Sequence, residues 1–400
     1  MSARRMAFER HYDVVVVGAG VAGVAAALQC ARSGLHTALV EKTILLGGLA
    51  TTGLVNVFLP LCDGLGRQVI FGIAEELLWA SLRYGPGAVP AIWIGDAPHP
   101  ETGRPVPRLQ ATFSPAAFAL ALDEVVLEAG VEPWLDTLVT HPLLEGDRVV
   151  GLQVENKSGR GVLYATCVVD ATGDADVAAR AGAPCVTGHN WLSLWALEHA
   201  HGAGLNMVRL GADAMGRGHP DNHPIYHGVD GRQVTDFVLA GRALLRARYR
   251  AQLAEDPEAR AHSFPVTLPT MAQFRTTRRV EGRETLQADA VNLPHPHAVG
   301  VMPDWRRAGP LREVPYGALV PRQVRGLLVA GRCIAAEGDA WEVARVIPTV
   351  ASTGQLAGIA ASLAVRRGCT PDALSIASVQ EAVREHGLPC GMADLGFDAT

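Results

Sequence analysis

A glycine-rich turn between an apolar strand and a small-residue helix constrains this chain more than any other feature. Four β-branched residues, Val14 to Val17, predict a strand buried on both faces of a parallel sheet. The strand is followed at once by Gly18, which permits a sharp turn, Gly20, which permits a close approach by a ligand, and Gly23, which permits close packing of the helix on the strand. This arrangement is typical of a site that holds a dinucleotide pyrophosphate at a helix N-terminus, where unpaired N–H groups favour negative charge.

The residues after this turn narrow the choice of dinucleotide. A second predicted strand, Thr37 to Val40, ends on Glu41, which lies 18 residues beyond Gly23 and is placed to accept hydrogen bonds from a ribose hydroxyl. A carboxylate there would repel a 2′-phosphate, so the site favours FAD or NAD over NADP. The pair Gly47-Gly48 a few residues later is typical of flavoproteins, although a plain glycine loop is the alternative interpretation.

Length, charge and cysteine content limit the class of protein. The chain has 400 residues, which suggests two domains, and 48% of them are apolar, enough for a sizeable core. The net charge of −5 and the lack of a basic stripe argue against nucleic acid or a membrane surface as a partner. The seven cysteines indicate reduced thiols and a cytoplasmic location. We expect a small-molecule substrate and no membrane span, and leave open whether the chain forms a homo-oligomer.

The order of predicted elements indicates an α/β fold in several parts. Residues 1–83 and 109–185 form the first two parts of a Rossmann-like domain, and residues 84–108, rich in Pro and Gly, form a surface excursion. Aromatic and histidine residues concentrate in residues 186–318, which we predict to be an inserted α+β substrate domain. Residues 319–400 supply the third part of the dinucleotide-binding domain and a C-terminal helix.

Two predictions of secondary structure within the Rossmann-like parts are specific enough to test. Apolar spacing predicts a helix over residues 69–82 and a small-residue helix, from about Thr349 to Val365, that packs on the first helix. A buried strand over residues 167–170 is expected to return to the parallel sheet and to end in Ala-Thr-Gly at the ligand-binding edge. The strands predicted to form a separate antiparallel meander are residues 131–135, 137–141, 149–155 and 161–166.

Six segments carry a resemblance to a known family. They are VVVVGAGVAGVAAAL, VEKTILLGGLATTGL, DGLGRQVIFGIAEELL, VVDATGDADVAARAGAP, RTTRRVEGRETL and LLVAGRCIAAEGDAWEVARVIPTVASTGQLAGIAA. The chain resembles the FAD-dependent oxidoreductase family of the glutathione-reductase/fumarate-reductase-like flavoprotein superfamily. The resemblance implies FAD bound by a Rossmann-like domain with a central parallel sheet and a small antiparallel meander. The residues it implies for the cofactor are Gly18, Gly20, Val21, Ala22, Gly23, Glu41, Lys42, Gly47, Gly48, Leu49, Ala50, Thr51, Val139, Ala171, Thr172, Gly173, Gly331, Arg332, Ile347 and Thr349.

Three family signatures are absent. No Cys-x4-Cys follows Gly48, so a disulfide reductase of the glutathione-reductase kind is excluded. No second GxGxxG follows a strand, which argues against a built-in NAD(P)H domain. The Gly-Asp-Ala-Ala-His signature of aromatic hydroxylases is also missing.

The leading functional hypothesis is an enzyme that moves a hydride between tightly bound FAD and a small organic substrate. Arg345 precedes a predicted helix start beside the flavin and is the first candidate to hold a substrate carboxylate, although a salt bridge to Glu342 is the alternative. Arg278 is the second candidate, and no pattern selects a general base. One alternative function is an FAD-dependent monooxygenase or oxidase that uses O₂.

A second alternative is a non-redox enzyme of the thiazole-synthase type, which the histidine-rich insert keeps open. The spacing of His219, His223 and His227 invites interpretation as a metal site. Pro220 and Pro224 interrupt any helix that would align the three rings, and no cysteine or acidic cluster completes a shell. We therefore predict no metal.

Overall fold

The computed structural model describes residues 6–86, 88–94 and 108–397. Most of the predicted excursion, 84–108, therefore lies outside the described residues. The α-helices in the described parts are α1 (Val21–Arg32), α2 (Ile73–Leu82), α3 (Pro115–Glu128), α4 (Asp176–Arg180), α5 (Gly231–Glu255), α6 (Gly338–Ala344), α7 (Ile347–Arg366) and α8 (Ile376–Glu385). The strands are β1 (Phe8–Val17), β2 (Thr37–Val40), β3 (Val57–Phe58), β4 (Ala111–Thr112), β5 (Glu132–Trp134), β6 (Leu138–Glu145), β7 (Arg148–Asn156), β8 (Gly159–Asp170), β9 (Cys185–Thr187), β10 (Ser193–Ala200), β11 (Gly204–Gly211), β12 (Phe264–Thr267), β13 (Arg278–Val280), β14 (Ala298–Pro303), β15 (Leu311–Pro315) and β16 (Leu327–Val329).

A mixed, seven-stranded sheet forms the centre of the fold, in the order β5-β2-β1-β8-β7-β6, with β16 also paired to β8. Strand β8 runs parallel to β1 from one end of β1 to the other, from the pair Phe8 and Gly161 to the pair Val17 and Asp170. On its other edge its first half pairs antiparallel with β7 and its last three residues pair parallel with β16. The predicted division into a meander strand, 161–166, and a separate sheet strand, 167–170, is therefore wrong, because one strand serves both parts.

Two further predictions of local structure need correction. The segment predicted as the first meander strand, 131–135, forms β5, which pairs parallel with β2 at the edge of the sheet. The meander consists of β6, β7 and the first half of β8. The helix predicted over 69–82 begins only at Ile73, because Gly72 has a φ of +70° and the N–H groups of Val69 and Ile70 donate to Leu61 O.

The predicted close packing of α7 on α1 is confirmed. A Cβ added at Gly354 would lie 2.1 Å from Ala22 O, and one added at Gly358 would lie 2.8 Å from Ala26 O. The backbones approach so closely because α7 carries glycine at the two positions where it crosses Ala22 and Ala26 of α1. Within the described residues no single helix has the length and apolar character needed to cross a membrane, and only α6 and α7 taken together, bent by 85°, pass that test on length and composition.

The segment predicted as one inserted domain, 186–318, is divided in its packing. Strands β10, β11 and β12 form a three-stranded sheet, and the 25-residue helix α5 contributes Phe237 and Leu245 to two small apolar clusters of its own. By contrast, the apolar residues from Val280 through β14 and β15 join the large cluster around the central sheet. The apolar pattern of the sequence did not predict α5, because its buried stripe is narrow. Only Phe237, Gly241 and Leu245, spaced four apart, are buried along it.

Candidate cofactor groove and substrate cavity

Two glycine loops meet at the carboxyl ends of β1 and β2. The N–H of Gly47 donates to Ala19 O at 2.7 Å, and Gly20 and Gly47 form an isolated β-bridge. A Cβ added at Gly48 would lie 3.0 Å from the Gly20 Cα, whereas one added at Gly20 would meet no protein atom within 4 Å. Gly20 therefore faces a cradle that a side chain would fill, at the first turn of α1, where no side chain caps the helix.

Glu41 is held rigidly at the end of β2. Its Oε2 accepts from the N–H of Ala19 at 2.8 Å, and its Oε1 accepts from the N–H of Thr43 at 2.8 Å. The residue is only 5% exposed. Because each carboxylate oxygen accepts one of these backbone hydrogen bonds and has a further lone pair, Glu41 retains the capacity to accept from a hydroxyl group in the groove.

A long groove connects these loops with the third part of the fold. The predicted cofactor residues that line it are Gly18, Gly20, Val21, Ala22, Glu41, Lys42, Gly47, Gly48, Leu49, Ala50, Val139, Ala171, Thr172, Gly173, Gly331, Arg332 and Ile347. Gly23, Thr51 and Thr349 are buried behind the lining instead. Sequence reasoning missed Asp176, Arg180 and Met271, which also line the groove. The segment DADVAAR contains the first two, but nothing in its spacing indicated that they face the groove.

Arg332 joins three segments at the rim of the groove. Its guanidinium donates to Gly173 O at 2.6 Å, to Phe274 O at 2.9 Å and to the Asp174 carboxylate at 2.6 Å. Thr277 also donates to Asp174. Burial tends to raise the pKa of Asp174, but Arg332 and Thr277 outweigh it and hold that pKa below its usual range. Arg332, which we expected to contact the cofactor, thus uses these hydrogen bonds to hold the Ala-Thr-Gly loop in place.

The N-terminus of α7 faces the same groove. Ile347 and Val350 line it, and no side chain caps the helix at Val346. The hydroxyl of Thr349 is buried and has no hydrogen-bond partner in the described structure. Helix N-termini favour negative charge through their unpaired N–H groups and their macrodipole.

We expect Thr349→Val to leave unchanged, or to raise by up to about 1 kcal/mol, the free energy of unfolding of the flavin-free protein, because it replaces an unpartnered hydroxyl with a methyl group of the same shape. Thr353→Val is the matched control on the same helix. Its hydroxyl accepts from Gly331 N at 3.1 Å and donates to Val350 O at 3.2 Å. The control should lose about 1–3 kcal/mol. Urea unfolding of both variants measures this, and equal losses would contradict the difference in hydrogen bonding.

A second cavity, of about 430 Å³, lies beside the groove. Leu49, Arg332, Arg345 and Ile347 line both spaces. Arg345 forms the predicted alternative contact, an ion pair with Glu342, and still faces both spaces. Arg278, the second catalytic candidate, lines neither space, and its guanidinium donates to Asp174 O at 2.8 Å and to Asp176 at 2.7 Å. The structure therefore gives Arg278 a role in holding the loop that follows β8.

The histidines of the insert do not line the cavity or the groove. His219 Nδ1 accepts from the N–H of Leu192, and His227 Nδ1 lies 2.8 Å from Gly188 O, so these nitrogens are engaged by the backbone. Among the described residues, the one set of three close potential ligands is Glu284, His295 and His297, which the sequence did not single out. His297 Nδ1 lies 2.6 Å from Glu284 Oε1, and this pair is away from both spaces.

The fold and the groove together define a flavoprotein of the Rossmann-like kind. The groove suits a long dinucleotide, because it combines the glycine cradle, the fixed carboxylate of Glu41 and the uncapped N-termini of α1 and α7. The match of the sequence to a family model agrees with this assignment. The chain belongs to the FAD dependent oxidoreductase family, whose pattern matches residues 13–194 and 199–383. Its cofactor is FAD, and the chain is an enzyme.

Individual relatives match over shorter stretches. A thioredoxin reductase from Ureaplasma parvum is 39% identical over 67 residues, 17% of this chain and 22% of that protein. A digeranylgeranylglycerophospholipid reductase from Picrophilus torridus is 31% identical over 168 residues, 41% of this chain and 40% of that protein. The chain thus spans less than half the length of these curated relatives. A solved geranylgeranyl bacteriochlorophyll reductase-like protein from Thermoplasma acidophilum is 14% identical with a TM-score of 0.48, covering 95% of this chain and 83% of its own.

Proposed function

We propose that this enzyme moves a hydride between FAD and a small organic substrate that occupies the second cavity. The observation that carries the proposal is the shared wall: Leu49, Arg345 and Ile347 line both the groove and the cavity. A molecule in the cavity would therefore lie next to the part of the groove that the N-terminus of α7 faces. When bound, FAD supplies the capacity to accept or donate the hydride.

The cavity is built to bind and orient rather than to transfer protons. Aliphatic and aromatic side chains such as Val57, Trp195 and Phe274 form much of its wall. Among the described residues that line it, the one carboxylate is Asp213, whose pKa is held below its usual range by hydrogen bonds from Arg217 and the local backbone. No histidine, cysteine, tyrosine or lysine is part of this described lining. We therefore assign no side chain of this cavity the role of a general base.

The test uses the purified protein with its flavin. Anaerobic mixing with panels of small alcohols, amines and carboxylic acids should bleach the yellow flavin absorbance with at least one class. Admission of air then separates the alternatives, because rapid return of the colour with hydrogen peroxide or a hydroxylated product would favour an oxidase or monooxygenase. A protein whose flavin none of these classes reduces, and whose reduced flavin no unsaturated acceptor reoxidises, would contradict the proposal.

Arg345→Ala should leave the flavin content intact and reduce turnover strongly, by about 100-fold, because it removes a cation at the shared wall. Glu342→Gln is the informative partner, since it frees the guanidinium of Arg345 from its ion pair and should retain turnover. Arg250→Ala, at an exposed position on α5, is the control for loss of an arginine. Steady-state kinetics with the substrate found above provide the measurement, and unchanged turnover in Arg345→Ala would remove this role.

A further inference from the structure

The second cavity carries positive charge that the described structure does not neutralise. Four arginines and one carboxylate line it. Arg332 is paired with Asp174 and Arg345 with Glu342. The carboxylate, Asp213, is paired with Arg217. These three ion pairs are complete without any contribution from the two remaining arginines.

Arg275 and Arg209 are those two. Arg209 lies over the ring of Trp195, at 4.5 Å from its centroid, and is exposed to solvent. Arg275 is half-buried, and its guanidinium donates to two backbone carbonyls, Asp213 O at 2.8 Å and Ala212 O at 3.3 Å. It forms no ion pair with any described carboxylate. Two of its five N–H groups are used in these hydrogen bonds, so three are left for a ligand.

Of the four arginines that line the second cavity, Arg275 is the one that is both partly buried and without an ion pair. Burial and the neighbouring charge of Arg345 lower its pKa to about 10, against the opposing charges of Glu342 and Asp213, which raise it less, and at neutral pH it still carries its charge. A partly buried charge that forms no ion pair of its own is costly, and an anionic ligand would relieve that cost.

The backbone around Arg275 is fixed before any ligand arrives. The Oδ1 atom of Asn190 accepts from the N–H of Arg275 at 2.6 Å and from the N–H of Thr276 at 3.0 Å. Asn190 is itself buried and donates to Thr276 O at 2.7 Å. A guanidinium mounted on so rigid a segment loses little freedom when it binds a planar anion.

We propose that the substrate of this enzyme is an organic carboxylate with an apolar, ring-sized body, and that Arg275 binds its carboxylate. The body lies against the apolar wall that includes Trp195, Phe274 and Trp305. Arg345 is the secondary cation, because Glu342 already neutralises it. This assignment rests on the proposed function, since it places the carboxylate in the cavity that adjoins the flavin groove.

The test compares two probes of nearly equal shape, 2-naphthoate and its neutral amide 2-naphthamide. Calorimetric titration of the flavin-loaded protein should show the acid binding at least about tenfold more tightly than the amide, the effect expected for hydrogen bonds to a charged group. Arg275→Gln should abolish the preference, and Arg275→Lys should retain part of it. Arg209→Gln, which removes an exposed cation of the same cavity, should change the preference less than threefold.

Binding and redox activity are read separately. An enzyme whose flavin is reduced by a substrate but that binds the acid no better than the amide would overturn this inference and leave the proposed function standing. A clear acid preference in a protein whose flavin no substrate class reduces, and whose reduced flavin no unsaturated acceptor reoxidises, would overturn the proposed function and leave carboxylate binding by Arg275 standing. Failure of both probes to bind, or an undiminished preference in an Arg275→Gln protein with normal flavin content and circular dichroism, also overturns it.

Discussion

Gly23→Ala is expected to leave most of the protein unfolded or without flavin, whereas the Gly20→Ala protein should fold normally. A Cβ at Gly23 would lie 1.8 Å from Gly18 O, a contact that cannot be relieved without moving α1 away from β1. Such overpacking against the backbone should cost about 3 kcal/mol or more. A Cβ at Gly20 meets no protein atom within 4 Å and points into the groove. It should spare the flavin-free fold and weaken FAD binding about tenfold or more.

Two measurements separate these effects. Thermal unfolding of the flavin-free proteins reports the packing, and fluorescence titration with FAD reports the groove. A stable Gly23→Ala protein would contradict the close approach of helix and strand. A Gly20→Ala protein with wild-type affinity would show that the pyrophosphate does not lie over this glycine.

Arg332→Met is the second change with a large expected effect, a loss of about 3–5 kcal/mol in the free energy of unfolding. The side chains of Arg332 and Asp174 are 10% and 23% exposed, so removal of the cation leaves a largely buried carboxylate without its main partner. It also leaves Phe274 O without its donor and Gly173 O with only the longer hydrogen bond from Thr277, at 3.4 Å. The double variant Arg332→Met/Asp174→Asn should recover part of the loss, because it removes the uncompensated charge.

The pH dependence of this loss has a definite sign. In the wild type the pKa of Asp174 is lowered in the folded state, so its contribution to stability is present above the unfolded pKa of about 4 and is lost as the pH falls through the folded value. In Arg332→Met the charge of Arg332 no longer opposes the effect of burial, so the pKa of Asp174 should rise. A buried Asp174 that is ionised at neutral pH then destabilises the folded state. The difference between the two proteins should therefore shrink on acidification. Urea unfolding across the acid range measures it, and a pH-independent difference would contradict the ion pair.

Most of the residues predicted to contact the cofactor line one groove, and the most recognisable of them are those whose backbone shape matters. Gly18, Gly20 and Gly48 were recognisable because a phosphate-binding turn leaves no room for side chains, and that requirement is visible in the residue type itself. The small residues of α7 identified its packing partner for the same reason. The strand β8 was misjudged because its two halves have different neighbours, and pairing partners are not encoded in a local pattern.

The sequence predicted few of the residues that line the second cavity. Arg345 lines the groove and the cavity, and its contact with a substrate stays a prediction. Arg278 lines neither space, whereas Arg275, three residues earlier, lines the cavity. Nothing in the sequence Arg-Thr-Thr-Arg-Arg distinguishes these side chains, because their directions are set by distant partners. Asn190 holds the backbone at Arg275, whereas Arg278 lies in β13, which pairs with β9. Helix α5 was missed because its buried stripe is too narrow to stand out.

The sequence by itself determined the dinucleotide fold, the glycine loops, the acidic residue at the end of β2 and membership of an FAD-binding family. Each of these depends on residue types that few alternatives can replace at a given backbone geometry. Only the tertiary structure decided which arginines of the cavity wall are paired with a carboxylate and which two, Arg209 and Arg275, are not. Charge pairing depends on contacts between residues far apart in the chain, such as Arg332 with Asp174, and no local pattern specifies them.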